Sequence, residues 1–155
     1  MKRMRYILPV VILVAVMGWM PFRGTDVAKL HPVEVISVRS EKGIVYVNTD
    51  TGSSGAGNDL HSAFQDLKAT TPGHIFFETA DYLLIDEPSE ILLPELYDLL
   101  RPGCKVCRAT GKLELAEAAV YLRTHKPPVS LQDHKAGKQE LPVLQCWEGR
   151  MYLVS

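Results

Sequence analysis

The chain has no cysteine in or beside its one long apolar run, which excludes an acylated lipoprotein anchored there. Its first 23 residues hold no acidic residue at all. It has no basic surplus either. Four of the 17 basic residues lie in those first 23, leaving 13 against all 18 acidic ones, a net of −5 for the remainder. An acidic body argues against general nucleic-acid binding, which needs a basic surface to displace counterions. No G-x-S-x-G, H-E-x-x-H, EF-hand or P-loop pattern occurs, and no internal repeat. With 46% apolar residues in 155, what remains is one packed domain with appendages.

The appendage is at the front. Lys2, Arg3 and Arg5 precede Tyr6–Phe22, seventeen residues without a charge. A basic start before an apolar stretch is the signature of an export signal. The stretch is at the short end of the about 17–25 residues of a membrane span. Val16-Met17-Gly18 is a poor signal-peptidase site, while Trp19 suits a membrane interface. Residues 1–23 therefore read as a signal-anchor, with a cleaved signal or a plain buried helix as alternatives. The positive charges stay on the cytoplasmic side, so the body is expected outside the cytoplasmic membrane, or secreted if the signal is cleaved. Residues 24–32 read as a linker and 33–155 as a single extracytoplasmic domain.

Within that domain, Val33–Val38 and Ile44–Thr49 are strand-like around the turn Glu41-Lys42-Gly43, a hairpin over 33–50. Thr51–Gly57 reads as a flexible loop. Leu60, Ala63, Phe64 and Leu67 share a helical face, with Asn58 as N-cap. His74–Phe77 and Tyr82–Ile85 are strands, or one strand bent near Thr79, and the second has the continuous apolarity of a strand covered on both faces. Pro94 starts a helix with Leu96, Leu99 and Leu100 inward. Cys104–Ala109 is a strand and Lys112–Leu122 a helix, burying either Leu115, Ala119 and Leu122 or Leu113, Ala116 and Val120. Residues 125–140 read as a loop, and 141–154 as a final hairpin about Glu148-Gly149. The order ββ-α-β-α-β-α-ββ predicts an α/β (α+β) domain, a mixed β-sheet with about three packed helices, behind the N-terminal membrane-directed helix.

Candidate chemistry is sparse. Cys104-Lys105-Val106-Cys107 has C-x-x-C spacing, but on a strand residues i and i+3 face opposite ways. The cysteines read as structural or unpaired, as a disulfide involving Cys146, or as a redox or metal site borrowing Cys146, His125 or His134. Gly55-Ala56-Gly57 lies between a strand and a helix, where a phosphate-binding turn belongs, but Asp59 at the helix start opposes a phosphate. His31, His61, His74, His125 and His134 are scattered and read as mostly surface residues. Asp81, Asp86 and Glu87 form either a carboxylate cluster for acid–base work or a solvated strand-to-helix corner. No catalytic, cofactor or metal residue set is expected.

Gly57-Asn58-Asp59-Leu60-His61-Ser62-Ala63-Phe64-Gln65-Asp66-Leu67 resembles the helix of the N-terminal domain in the spore germinant receptor C-subunit family, Ger(x)C. The likeness continues through Pro72–Phe77, Asp81–Glu87, Leu96–Arg101, and the strand and Ala-rich helix of 104–122, and covers residues 33–122. It departs from the family at Thr79, where a histidine is common, and at Asp59, where a hydroxyl is more usual. The resemblance implies a non-enzymatic, membrane-anchored protein on the outer face, acting in spore germination or sporulation. It implies a membrane-protein partner and transfers no ligand site. The alternative from the residues is a small exported thiol or metal-binding protein using Cys104 and Cys107.

Overall fold

The computed structural model describes residues 30–137 and 139–154. The expected signal-anchor and residues 24–29 of the expected linker lie outside them. Among the described residues there are nine strands: β1 Leu30–Pro32, β2 Val35–Glu41, β3 Ile44–Thr49, β4 Ser54–Gly57, β5 His74–Phe76, β6 Tyr82–Ile85, β7 Lys105–Thr110, β8 Val143–Trp147 and β9 Arg150–Val154. Four α-helices accompany them: α1 Leu60–Thr70, α2 Leu93–Leu99, α3 Leu115–Thr124 and α4 Leu131–Lys135. Seven strands form one mixed sheet in the order β4-β3-β2-β6-β7-β8-β9. Its centre, β2-β6-β7-β8, is parallel, and an antiparallel hairpin partner flanks each side. The fold is thus α+β, as the alternation of elements predicts.

Side-chain alternation sorts the core into two layers. On one face, Ile36 and Val38 of β2, Leu83 and Ile85 of β6 and Val106 of β7 meet Leu60, Ala63, Phe64 and Leu67 of α1, Leu93 and Leu96 of α2, and Leu131 of α4. On the other, Val35, Tyr82, Leu84, Cys107, Ala109 and Leu144 meet Ala118, Ala119 and Leu122 of α3. All four residues of β6 are buried because helices cover both its faces. That is why its sequence shows no alternation.

Both hairpin turns need left-handed backbone. Lys42 and Gly43 (φ 53° and 80°), then Glu148 and Gly149 (φ 48° and 73°), fill two-residue loops with both central residues at positive φ. That geometry matches the twist of the strands it joins.

The glycine run is neither loop nor phosphate turn. Residues 54–57 are β4, an edge strand paired antiparallel with β3. α1 lies directly on it. A Cβ at Gly55 would sit 2.3 Å from Ala63 O and 2.4 Å from Leu67 N, and one at Gly57 2.5 Å from Ala63 N. The glycines exist because backbone meets backbone there. α1 also covers the open side of the strand: Ala56 N–H donates to Asp66 Oδ2 at 2.9 Å, and Thr70 Oγ1 donates to Ser54 O at 3.0 Å. Covering an edge in this way satisfies groups that otherwise recruit another chain.

Other expectations are corrected. The N-cap of α1 is Asp59, not Asn58, and it forms a capping box with Ser62. Two backbone and hydroxyl bonds from Ser62 hold the Asp59 carboxyl below its usual range. The end of the expected linker, Leu30–Pro32, pairs in parallel with His74–Phe76 as a separate two-stranded sheet. A 3₁₀ turn at Phe77–Thr79 then separates β5 from β6, so the two are not one bent strand. α3 begins at Leu115 and buries Ala118, Ala119 and Leu122, with Leu115 half-buried and Ala116 and Val120 exposed, so the inward face is the first set with Ala118 added, while Leu113 is buried just before the helix. Within the expected loop 125–140, Ser130 caps the short α4 through a box with Asp133.

Candidate functional site

The carboxylates proposed at the end of the central strand do not converge. Asp81 precedes β6 and pairs with the Arg101 guanidinium, whose Nε also donates to Ala80 O at 3.0 Å. Asp86 follows β6. Its Oδ1 accepts from Ser89 N–H at 3.1 Å and its Oδ2 from Ser40 N–H at 3.3 Å, capping the 3₁₀ helix Glu87–Leu92. A strand rises about 3.3 Å per residue, so five residues separate the two by about 17 Å. Glu87 is exposed beside that cap. Each aspartate has a structural task, and no substrate atom reaches both.

The C-x-x-C pair is likewise split. Cys104 belongs to the core layer under α1 and α2, and Cys107 to the layer under α3. All three cysteines are free thiols. Burial pushes the Cys104 and Cys107 thiols up to about 12, which keeps them protonated and unreactive at neutral pH. Cys146, on β8, is exposed. In the native protein a maleimide is therefore expected to add once and quickly, at Cys146, and three times after denaturation. Intact-mass measurement counts the additions, and two fast additions would contradict this placement.

The described histidine side chains are engaged one at a time. His61 Nε2 lies 2.8 Å from Gln65 Nε2, the His125 ring stacks on Tyr121 at 4.3 Å, and His134 Nδ1 lies 2.7 Å from Tyr97 Oη. The last bond ties α4 to α2. Among the described residues no cluster of three or more histidine, cysteine or carboxylate side chains is placed to hold a metal ion.

Two arrangements were hidden from the sequence. Arg123 on α3 makes a two-pronged pair with Glu34, with Nε to Oε1 at 2.7 Å, across 89 residues of chain. It holds the Glu34 carboxyl below its usual range. The other is a cleft of about 680 Å³, bounded by Glu90, Arg108, Val129, His134, Pro142 and Val154. Inside it Arg108 Nε donates to Glu90 Oε1 at 2.5 Å. The two charges answer each other, and Glu140 is the further carboxylate at the cleft's edge. The one sequence signal was Arg108, a charge interrupting the buried β7.

The same face of the sheet continues past this cleft without a helix over it. Val143, Gln145 and Trp147 of β8 lie opposite Val154, Tyr152 and Arg150 of β9. Trp147 is 69% exposed, with Val154 and Tyr152 also exposed. The arrangement suits contact with another surface more than chemistry. Set against family models, curated proteins and solved structures, the chain matches none.

Proposed function

We propose that this is a non-enzymatic, membrane-anchored protein whose α+β body stands outside the cytoplasm. There it acts as a component of a membrane complex in spore germination or sporulation, similar to the N-terminal domain of the germinant receptor C-subunit family. The observation that carries this reading is the run of elements over 33–122 behind a basic, then uncharged, N-terminal segment. Hairpin, helix, central strand, helix, strand and Ala-rich helix follow in the order that the resemblance implies.

Physical considerations support the anchor. Seventeen residues in a helix rise about 26 Å, close to the about 30 Å hydrocarbon core. Arg23–Lys29 then reaches at most about 25 Å when extended, which keeps the body close to the membrane surface. Among the described residues no helix is long and apolar enough to cross a membrane, so the anchor rests on Tyr6–Phe22 alone. The uncovered strip of Trp147, Tyr152 and Val154 is the apolar surface that the body offers to a membrane-protein partner.

The test is fractionation and co-purification of the full chain from detergent-solubilised membranes of a spore-forming host. The chain is expected to sediment with membranes and to purify with a polytopic membrane protein, and Trp147→Glu is expected to weaken that association without releasing the chain from the membrane. Recovery of the chain alone, in the soluble fraction, sinks the proposal.

A further inference from the structure

We propose that the bare face of β8 and β9 seats one amphipathic helix of about three turns from a protein partner. The helix lays an apolar stripe on the two strands and sets a Lys or Arg at the end nearest Glu140. The inference rests on the reading of this strip as a partner surface and names what the partner brings to it.

The two faces of the hairpin differ. On one, Leu144 is buried under α3, and Met151 and Leu153 pack against the same layer. On the other, helices α1, α2 and α4 cover β2, β6 and β7 but stop short of the hairpin. There Val143 lies opposite Val154, Gln145 opposite Tyr152 and Trp147 opposite Arg150, with Trp147, Tyr152 and Val154 exposed. The edge of β9 is less open than its face, because Leu153 N–H donates to Tyr121 Oη at 3.1 Å. A covered edge resists an added strand, so the face is the contact surface.

Its size selects the occupant. Two strands about 4.8 Å apart and five residues long present a patch of about 10 by 17 Å. A second copy of the chain needs about 800 Å² on each partner for a stable interface, several times that footprint. One helix of three turns is about 16 Å long and 10 Å wide, and fits it.

Its charge selects the partner's chemistry. The Val143–Val154 end opens into the cleft, where Val129 and Pro142 supply apolar wall and Glu140 stands exposed at the edge. The Glu90 bond raises Arg108 above its usual range, and the fields of Glu87 and Glu140 add to it. Three carboxylates against one guanidinium leave a surplus of two negative charges among these four groups. An apolar wall under an acidic edge suits the aliphatic stem and cationic head of Lys or Arg. At the turn end, Arg150 and Glu148 balance each other. The same surplus, on a body of net −5, repels an anionic lipid surface, which attracts basic segments instead.

The test titrates ¹⁵N-labelled full chain in zwitterionic micelles with two synthetic twelve-residue peptides. Each has leucines at i, i+3, i+4 and i+7, and they differ in one terminal residue, Lys or Glu. The amides of Val143–Trp147 and Arg150–Val154 are expected to move saturably, with the Lys peptide bound about threefold more tightly than the Glu peptide. Glu140→Lys is expected to reverse that order, and Trp147→Ala to weaken the Lys peptide about tenfold. Both changes fall on exposed residues, so the rest of the spectrum stays in place. The same micelles take up the peptides in every arm, so the reversal reports on the strip. No saturable movement, equal affinity for the two peptides, or an order that Glu140→Lys leaves unchanged overturns the proposal. So does movement of these amides with protein concentration alone, which assigns the strip to a second copy, or with anionic lipid alone. If the peptides fail while the chain still purifies with a polytopic membrane protein, the helix is wrong and the proposed function stands. If they bind while the chain is recovered alone in the soluble fraction, the membrane reading falls and the helix stands.

Discussion

Gly55→Ala is expected to lower the stability of the folded domain by about 3 kcal/mol, at the upper end for overpacking. The added Cβ would meet Ala63 O at 2.3 Å and Leu67 N at 2.4 Å. Both are backbone atoms in the middle of α1, so no rotamer change relieves the clash. The helix must lift from β4, and with it go the Asp66 and Thr70 bonds that cover the edge strand. Gly103→Ala is the matched control. A Cβ there meets nothing within 4 Å, so it is expected to be neutral or slightly stabilising. Urea unfolding followed by far-ultraviolet circular dichroism measures both. Equal midpoints for wild type and Gly55→Ala would contradict the packing of α1 on β4.

The second large effect is loss of stability in alkali. Burial raises the Cys104 and Cys107 thiols from 9.0 to about 12 in the folded chain. Below pH 9 both states hold these protons, and the thiols cost nothing. Between pH 9 and about 12 the unfolded chain gives them up and the folded chain does not. Stability then falls by about 1.4 kcal/mol per pH unit for each thiol, nearly 3 for the two together. Burial also raises the Tyr82 and Tyr97 hydroxyls, which deepens the loss in the same direction. The loss accumulates to about 8 kcal/mol by pH 12, so a domain in the lower half of the ordinary 5–15 kcal/mol is expected to unfold before that pH. The Cys104→Ala, Cys107→Ala double variant is less stable at pH 7, because each change leaves a small cavity, but its decline with pH is shallower. Denaturant midpoints between pH 8 and pH 11 read the slope directly. An unchanged slope in the double variant would show that the thiols are not the buried groups.

The elements that periodicity could reveal were the ones that bury a stripe. α1 was legible from Leu60, Ala63, Phe64 and Leu67, and all four are core residues. The apolar run of β6 announced a strand covered on both sides, and both hairpins announced themselves by Lys42-Gly43 and Glu148-Gly149. What escaped was structure set by tertiary contact. β4 is built from Ser-Gly-Ala-Gly, which reads as a loop because its glycines answer to α1 and not to strand propensity. β1 has three residues and exists only by pairing with β5. α4 has five residues and is defined by its cap. The site followed the same rule. That Cys104 and Cys107 diverge could be derived from strand geometry, whereas the pairing of Arg123 with Glu34 needs the fold to bring α3 beside residue 34, across 89 residues of chain.

The central claim is that the chain is held at the membrane with its body outside, and Cys146 gives a direct way to test it. This is the one cysteine that is exposed, while Cys104 and Cys107 are buried in the two core layers. Intact cells expressing the full chain are treated with a mild reductant and then a membrane-impermeant maleimide, with Cys146→Ser as the control. The account predicts labelling before lysis, dependent on Cys146, in a chain that sediments with membranes. Labelling that appears only after the cells are broken would place the body in the cytoplasm and contradict it.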